Sequence, residues 1–354
     1  MNTNNYKNRK IAWVHRGESP HPAHAGFAEA IGADLIGLNR LTIPKIEESI
    51  IEEVLNGVFL PKYDIYVVEG TRAMYGMLSS QVIRDGTLIY LAGDQAVYKL
   101  TEDSYELHSP LNRLISRYGL GIMRQLFTHF VDGVMAVSEF SADYTRRVIE
   151  DKPTRVANPY IASQELYETL GDVDPALETN VAVTVGTYSR YKGHDLLIDA
   201  WPQVREVHPD AELELVGNGY QSEFESVSGV TVRGFVDELP PVFASASLYV
   251  QPSRADNFPV SVLEAMRAGL PAIVTSSTGS KSEIRNLNEE FVCRPTSQDI
   301  ANAVNSYFDL SPDCRRVLSE SAREIGTGYD SDTRKRAFRE QFVNLLSEID
   351  DERS

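Results

Sequence analysis

Short apolar runs separated by helix-length amphipathic stretches recur along the whole chain. The first, Lys10-Ile11-Ala12-Trp13-Val14, suits a buried strand; a loop over 16–22 follows, and 23–31 has helical spacing. Strand-like runs return at 34–38, 65–68, 87–91 and 133–137, with helical patterns between most of them. Ser138 is placed to cap the next helix, with Glu139 in its first turn. Residues 160–180, including Gly171-Asp172-Val173-Asp174-Pro175, form a polar, turn-rich stretch that reads as a connection. A second series opens with Val181-Ala182-Val183-Thr184-Val185-Gly186. It continues at 211–217, 230–236, 246–251 and 272–280, with helical stretches at 194–201, 300–308 and within 322–346. Such alternation predicts α/β architecture, with a parallel sheet covered by helices on both faces. Ligands of such sheets sit beyond the carboxyl ends of the strands, which directs attention to the loops 16–24, 69–72 and 93–95.

The segment 109–130 carries Leu111, Leu114, Ile115, Tyr118, Ile122, Met123, Leu126, Phe127 and Phe130 at largely helical spacing, with Arg113, Arg117 and Arg124 among them. One reading is a helix resting on a membrane surface; the other is a core-facing helix with a solvated basic edge. Gly119 and Gly121, expected to interrupt the helix, and the small number of arginines favour the second.

A length of 354 residues suits two domains, drawn here as 1–165 and 166–330 with a final helix over 331–354. At 42% apolar and 24% charged the chain reads as globular, and no run approaches the roughly 20 apolar residues that span a bilayer. The polar start Met1-Asn2-Thr3-Asn4-Asn5-Tyr6-Lys7-Asn8 lacks the apolar core of a secretory signal, so a cytoplasmic location is expected. Cys293 and Cys314 have neither metal-ligand spacing nor the density of a disulfide scaffold. A net charge of −17 argues against a nucleic-acid groove. With nine lysines against twenty-five arginines, the composition is that of a protein from a salt-loving organism, such as a haloarchaeon, or simply of an acidic mesophile protein.

The most explicit punctuation is at Ser253-Arg254-Ala255-Asp256-Asn257-Phe258-Pro259-Val260-Ser261-Val262-Leu263-Glu264-Ala265-Met266-Arg267-Ala268-Gly269-Leu270-Pro271. Pro259 suits a first helical position, Gly269 and Pro271 mark the stop, and Asp256 or Asn257 could cap the helix. Glu264 then lies about one and a half turns in. Two carboxylates could line one site, with free helix N–H groups between them to attract an anion. An ordinary capped helix with a solvated Glu264 is the plainer reading.

This segment resembles the signature of the retaining, nucleotide-sugar-dependent glycosyltransferases of family 4, in which two acids stand eight residues apart before a Gly-x-Pro stop; here the first is Asp256 and the second Glu264. The resemblance covers most of 180–310 and weakens towards the N-terminus. It implies the GT-B arrangement, two Rossmann-like domains facing across a cleft, with the final helix packing back on the first. It implies transfer of a hexose-type sugar from a UDP- or GDP-sugar to a glycan or lipid-linked acceptor, a dolichol phosphate-linked one included, in cell-surface glycan or glycoprotein biosynthesis.

By the same resemblance Glu264 holds the ribose hydroxyls, Asp256 lies near the donor sugar, and Lys192 meets the diphosphate after Gly186. Thr187 stands where the family has Arg, so Arg190 is the substitute cation. Gly234 and Phe235 fall in the base-binding loop, and Asn257, Phe258, Pro259 and Val260 line the donor site. On the acceptor side Gly26 would replace the family's Gly-Gly turn and Asp94 its His, with Arg16 in the first loop. No acidic metal cluster is visible, so no divalent ion is expected as a cofactor. Isolated histidines such as His15, His21 and His24 read as loop or packing residues. Two further readings stay open: a sugar-nucleotide epimerase or phosphorylase-like enzyme on the same fold, and a non-catalytic sugar-nucleotide-binding subunit, which Asp256 and Thr187 would suit.

Overall fold

Strands that are apolar on both faces need cover on both sides, and the parallel arrangement supplies it with crossover helices. The computed structural model describes residues 6, 8–38, 60–81, 86–101, 104 and 109–353. It divides into two units, Met1–Pro159 with Asp332–Ser354, and Tyr160–Ser331.

The first unit contains β1 (Ile11–His15), α1 (Pro22–Ile31), β2 (Asp34–Gly37), β3 (Ile65–Glu69), α2 (Gly70–Gln81), β4 (Thr87–Ala92), α3 (Pro110–Phe130), β5 (Gly133–Ala136), α4 (Glu139–Arg146) and β6 (Thr154–Val156). Its strands run in the order β2-β1-β3-β4-β5-β6, every pair parallel. Every residue of β1, β4 and β5 is buried, as their unbroken apolar runs require. Ser138 does cap α4, through a capping box in which Ser138 and Ser141 satisfy each other's backbone N–H.

Helix α3 departs from expectation in two ways. It runs unbroken through Gly119 and Gly121. Each glycine costs roughly 1 kcal/mol of helix propensity, and burial of Met123 and Phe127 on the unit's core offsets that. The core-facing reading holds for those two residues but not for Leu111, Leu114, Tyr118 and Ile122, which are 66%, 53%, 69% and 59% exposed.

The second unit contains α5 (Gln164–Gly171), β7 (Val181–Val185), α6 (His194–Val207), β8 (Glu212–Val216), β9 (Val230–Gly234), α7 (Pro240–Ala244), β10 (Leu248–Gln251), α8 (Val260–Arg267), β11 (Ala272–Thr275), α9 (Lys281–Leu287), β12 (Val292–Cys293), α10 (Ser297–Phe308) and α11 (Pro312–Thr327). The strand order is β12-β11-β10-β7-β8-β9, again all parallel. Part of the expected polar connection is thus the helix α5, capped by the Ser163 hydroxyl on the Leu166 N–H. Strands β6 and β12 were not expected; they have three and two residues, too short for a period to show.

The last helix, α12 (Ser331–Glu352), packs on the first unit. Phe338 stacks on Phe27 with ring centroids 4.2 Å apart and lies 5.9 Å from Trp13. Arg9 reaches Asp350 at 2.6 Å and Arg353 reaches Asp132 at 2.7 Å. Phe338 is fully buried, so Phe338→Ala should lower stability by about 3–5 kcal/mol. Chemical denaturation checks this, and an unchanged midpoint would mean that the helix does not depend on that ring.

Candidate functional site

In the second unit the carboxyl ends of β7, β8, β9 and β10 bring several loops together. Two glycine turns set the spacing. Gly217 takes φ +135°, and a Cβ there would strike the Gly186 carbonyl, so the turns after β7 and β8 touch backbone to backbone. Gly193, at φ +69°, comes so close to the Pro252 carbonyl that no side chain fits between them. The loop before α6 is thereby seated against the loop after β10. Arg254 adds a bidentate pair to Asp195, at 2.6 and 2.8 Å, and donates to the Arg190 carbonyl at 2.9 Å. The Arg254 and Ala255 N–H groups both donate to the Tyr191 carbonyl.

This seating brings together two residues that lie far apart in sequence. Lys192 Nζ donates to Asp256 Oδ2 at 2.6 Å. Asp256 is itself fixed by backbone bonds, its N–H to the Ser277 carbonyl and its carbonyl to the Gly279 N–H. Asp256 is buried, 7% exposed, with Lys192 covering it.

Helix α8 begins at Val260, so Pro259 is its N-cap and not its first helical residue, with φ −71° and ψ 112°. No side chain caps it. Of the expected caps, the Asp256 carboxylate holds Lys192 instead. Val262 N–H donates to the Pro259 carbonyl at 3.2 Å, and the N–H groups of Val260 and Ser261 before it have no intrahelical acceptor. Glu264 is half-buried on α8, and none of the described side chains hydrogen-bonds or ion-pairs with its carboxylate. Burial pushes its carboxyl up to about 7. Beneath it Tyr249 is fully buried; its hydroxyl meets Ser261 Oγ at 2.8 Å and Gln251 Oε1 at 2.9 Å, joining β10 to α8.

Beside these loops lies a cavity of about 760 Å³. Gly186, Thr187, Gly217, Asn218 and 235–241 line it, and Leu166 of α5 closes one wall. Phe235 stands 66% exposed at this wall, directly after Gly234 in a left-handed conformation. The cavity thus gathers Gly186, Thr187 and Phe235. Lys192, Asp256, Glu264 and Arg190 are not part of its lining, and Arg190 lies exposed in the loop before α6. Among the described residues no cluster of three His, Cys, Asp or Glu side chains could hold a metal ion.

Several residues of this site have roles that no motif announces. Arg254 and Asp195 are 59 positions apart, and only the folded loops show their pairing. His194, fully buried with both ring nitrogens unpartnered, stacks on Tyr188 and lies 5.2 Å from the Tyr220 ring. Burial, together with the Lys192 charge, pulls its imidazole down to about 4.

In the first unit Gly26 is buried inside α1 and so forms no turn, while Gly17, in the loop after β1, takes φ +93°. Asp94 binds the Thr71 N–H at 2.8 Å, and Arg16 is half-buried after β1. Two of the histidines read as packing residues surround a carboxylate. His24 Nδ1 lies 2.9 Å from Glu69 Oε1, Trp13 Nε1 donates to Glu69 Oε2 at 3.0 Å, and the His21 N–H donates to Oε1 at 3.4 Å. Burial raises the Glu69 carboxyl, but these donors and the His24 charge outweigh it and hold it below the usual range.

Solved structures share this fold. The chain aligns over 96% of its length with all of Anabaena HepE, solved with UDP and glucose, at TM-score 0.67 and 19% identity. With sucrose-phosphate synthase from Thermosynechococcus elongatus the TM-score is 0.71 at 16% identity, over 96% of this chain and 100% of that one. The fold class is therefore GT-B, a chain of two Rossmann-like units.

Within it, residues 179–309 match the family described as Glycosyl transferases group 1, a segment that contains Lys192, Asp256 and Glu264. An uncharacterised glycosyltransferase of Haemophilus influenzae is 27% identical over 163 residues, 43% of this chain and 46% of that protein. The sulfoquinovosyl transferase of Arabidopsis thaliana is 29% identical over 186 residues, 49% of this chain and 34% of that protein. The matched stretch thus spans less than half of either relative.

The position of Glu264 gives a test by pH. Its carboxyl rises from 4.5 in the open chain to about 7 when folded, so the folded state favours the proton. That contribution is complete below about pH 4.5 and is lost as pH rises to about 7, on the order of 3 kcal/mol. Glu264→Gln should match the wild type near pH 4 and exceed its stability at pH 8, as read by denaturant melts across that range.

Proposed function

We propose that the protein is a glycosyltransferase that moves a hexose-type sugar from a UDP- or GDP-sugar to a glycan or lipid-linked acceptor, with retention at the anomeric carbon. The observation that carries this reading is the unpaired, half-buried Glu264 carboxylate beside the uncapped start of α8. A buried carboxylate without donors is costly unless a ligand brings them, and ribose hydroxyls are such donors.

The cavity of about 760 Å³ takes the base, with Phe235 as a stacking face. Lys192 and the first N–H groups of α8 meet the diphosphate, where negative charge grows as it departs. Arg190 supplies a second cation in place of the Arg that Thr187 lacks. Asp256 holds Lys192 until the phosphates arrive and lies near the donor sugar.

The relatives support the same class. One is named a galactosyltransferase acting on a GlcNAc-diphosphoundecaprenol acceptor, which favours a lipid-linked acceptor and work at the cytoplasmic face of a membrane, in cell-surface glycan assembly. No helix among the described residues is long and apolar enough to cross a membrane.

Thermal unfolding with UDP-, GDP- and ADP-sugars, chelator present, tests the donor site at low and multimolar salt. A donor at a hundred times its dissociation constant should stabilise the fold by about 2.7 kcal/mol. Glu264→Ala should abolish that gain. Absence of stabilisation by every nucleotide sugar, in a folded sample, would sink the reading; stabilisation without turnover would move it to a non-catalytic sugar-nucleotide-binding subunit.

A further inference from the structure

At the carboxyl ends of its strands the first unit brings a carboxylate and an imidazole together. Glu69 ends β3, His24 lies in the first turn of α1, and Gly93 follows β4. The Trp13 indole and the His21 N–H hold the Glu69 carboxylate, and His24 Nδ1 lies 2.9 Å from its Oε1. Trp13 and Phe27 flank the His24 ring, with centroids 6.2 and 6.4 Å from it. A Cβ at Gly93 would stand 3.0 Å from His24 Cε1, so the ring is seated against a loop that begins with glycine.

This pair differs from a purely structural ion pair in what it leaves over. Nδ1 is buried and faces the carboxylate, which favours the tautomer with the proton on Nδ1 and the lone pair on Nε2. Nε2 stays accessible, and among the described residues nothing hydrogen-bonds to it. Asp94, expected on the acceptor side, is by contrast spent on its own surroundings. Its carboxylate accepts from the Thr71 N–H at 2.8 Å, the Thr71 hydroxyl at 3.3 Å and the Ala96 N–H at 3.1 Å. The imidazole nitrogen is thus left open to a ligand's donor.

A bare lone pair selects what it binds. A hydroxyl can donate to it, whereas a phosphate dianion brings only further lone pairs and is repelled by the Glu69 and Asp94 charges. We propose that the acceptor meets the first unit through a hydroxyl of a sugar ring, which donates to His24 Nε2, with Glu69 as the positioning residue that keeps the imidazole in the accepting tautomer. The phosphate of a lipid-linked acceptor is then held elsewhere. Calling the ligand an acceptor rests on the transferase reading; the binding of a sugar hydroxyl does not.

The test is NMR of the full chain with isotope-labelled histidine, at about pH 8, above the ordinary imidazole range. His24→Phe assigns the His24 signals. In the wild type Nε2 should carry no proton, and in Glu69→Gln the two tautomers should mix, which a merely structural role would not produce. Methyl glycosides of glucose, galactose, mannose and N-acetylglucosamine serve as probes up to about 0.1 M, because a few hydroxyl contacts give affinities near millimolar. At least one should shift the His24 signals saturably, and inorganic phosphate should not. Read from the glycoside's own signals, its affinity should fall roughly three- to tenfold in His24→Phe and in Glu69→Gln. A cooperative melt close to that of the wild type shows each variant to be folded.

A proton on Nε2 in the wild type would overturn the proposal, as would no response to any glycoside, a larger response to phosphate, or undiminished affinity in folded His24→Phe. Donor-induced thermal stabilisation of the same samples keeps the two readings apart. Glycoside binding without it would sink the transferase reading and leave the hydroxyl site standing. Donor stabilisation without glycoside binding would do the reverse.

Discussion

The site in the second unit depends on one close approach, that of Gly193 to the Pro252 carbonyl. No residue with a Cβ can occupy that position without pushing the loop before α6 away from the loop after β10. With the backbones in contact, Arg254 spans to Asp195 with two hydrogen bonds, and Lys192 is delivered within 2.6 Å of Asp256. A parallel sheet places all its strand ends on one edge, but it does not say how near the loops come. The missing side chain at Gly193 fixes that distance.

The same seating sorts the charges into those already satisfied and those left open. Arg254 and Asp195 form a paired, structural element with bidentate geometry. Lys192 and Asp256 are also paired, though by a single point contact that a stronger anion could replace. Glu264 stands apart, with a carboxyl raised to about 7 by burial and no donor of its own. Structural ion pairs do not need an unsatisfied partner nearby. A carboxyl strongly raised by burial with no donor beside it marks a candidate functional site.

Most of the architecture was legible along the chain, since apolar runs bounded by Gly and Pro mark strands that are buried on both faces. What was not legible came from interactions between distant positions. Pro259 has the residue type of a first helical position but stands one place earlier as the N-cap, and the Asp256 carboxylate, a candidate cap by sequence, is bonded to Lys192 across 64 positions. Gly119 and Gly121 read as breaks only while Met123 and Phe127 have no core to enter. His24 reads as a packing residue in the sequence because Glu69, its partner, lies 45 positions away, at the end of β3, while His24 is on α1. Lys192 and Glu264 are singled out in the sequence by two motifs in register, one after Gly186 and one over 253–271, whereas Arg254, inside the second, has a loop-holding role that only its partner Asp195 reveals.

Helix α3 shows where pattern alone gives two answers. Its apolar residues recur all round the helix, so the period cannot tell a buried face from a bare one. Exposure separates them, and charge gives the bare side a direction. In a chain of net charge −17, solubility is served by acids on every free surface. A 21-residue helix with three arginines, no acid and an exposed apolar stripe runs against that trend.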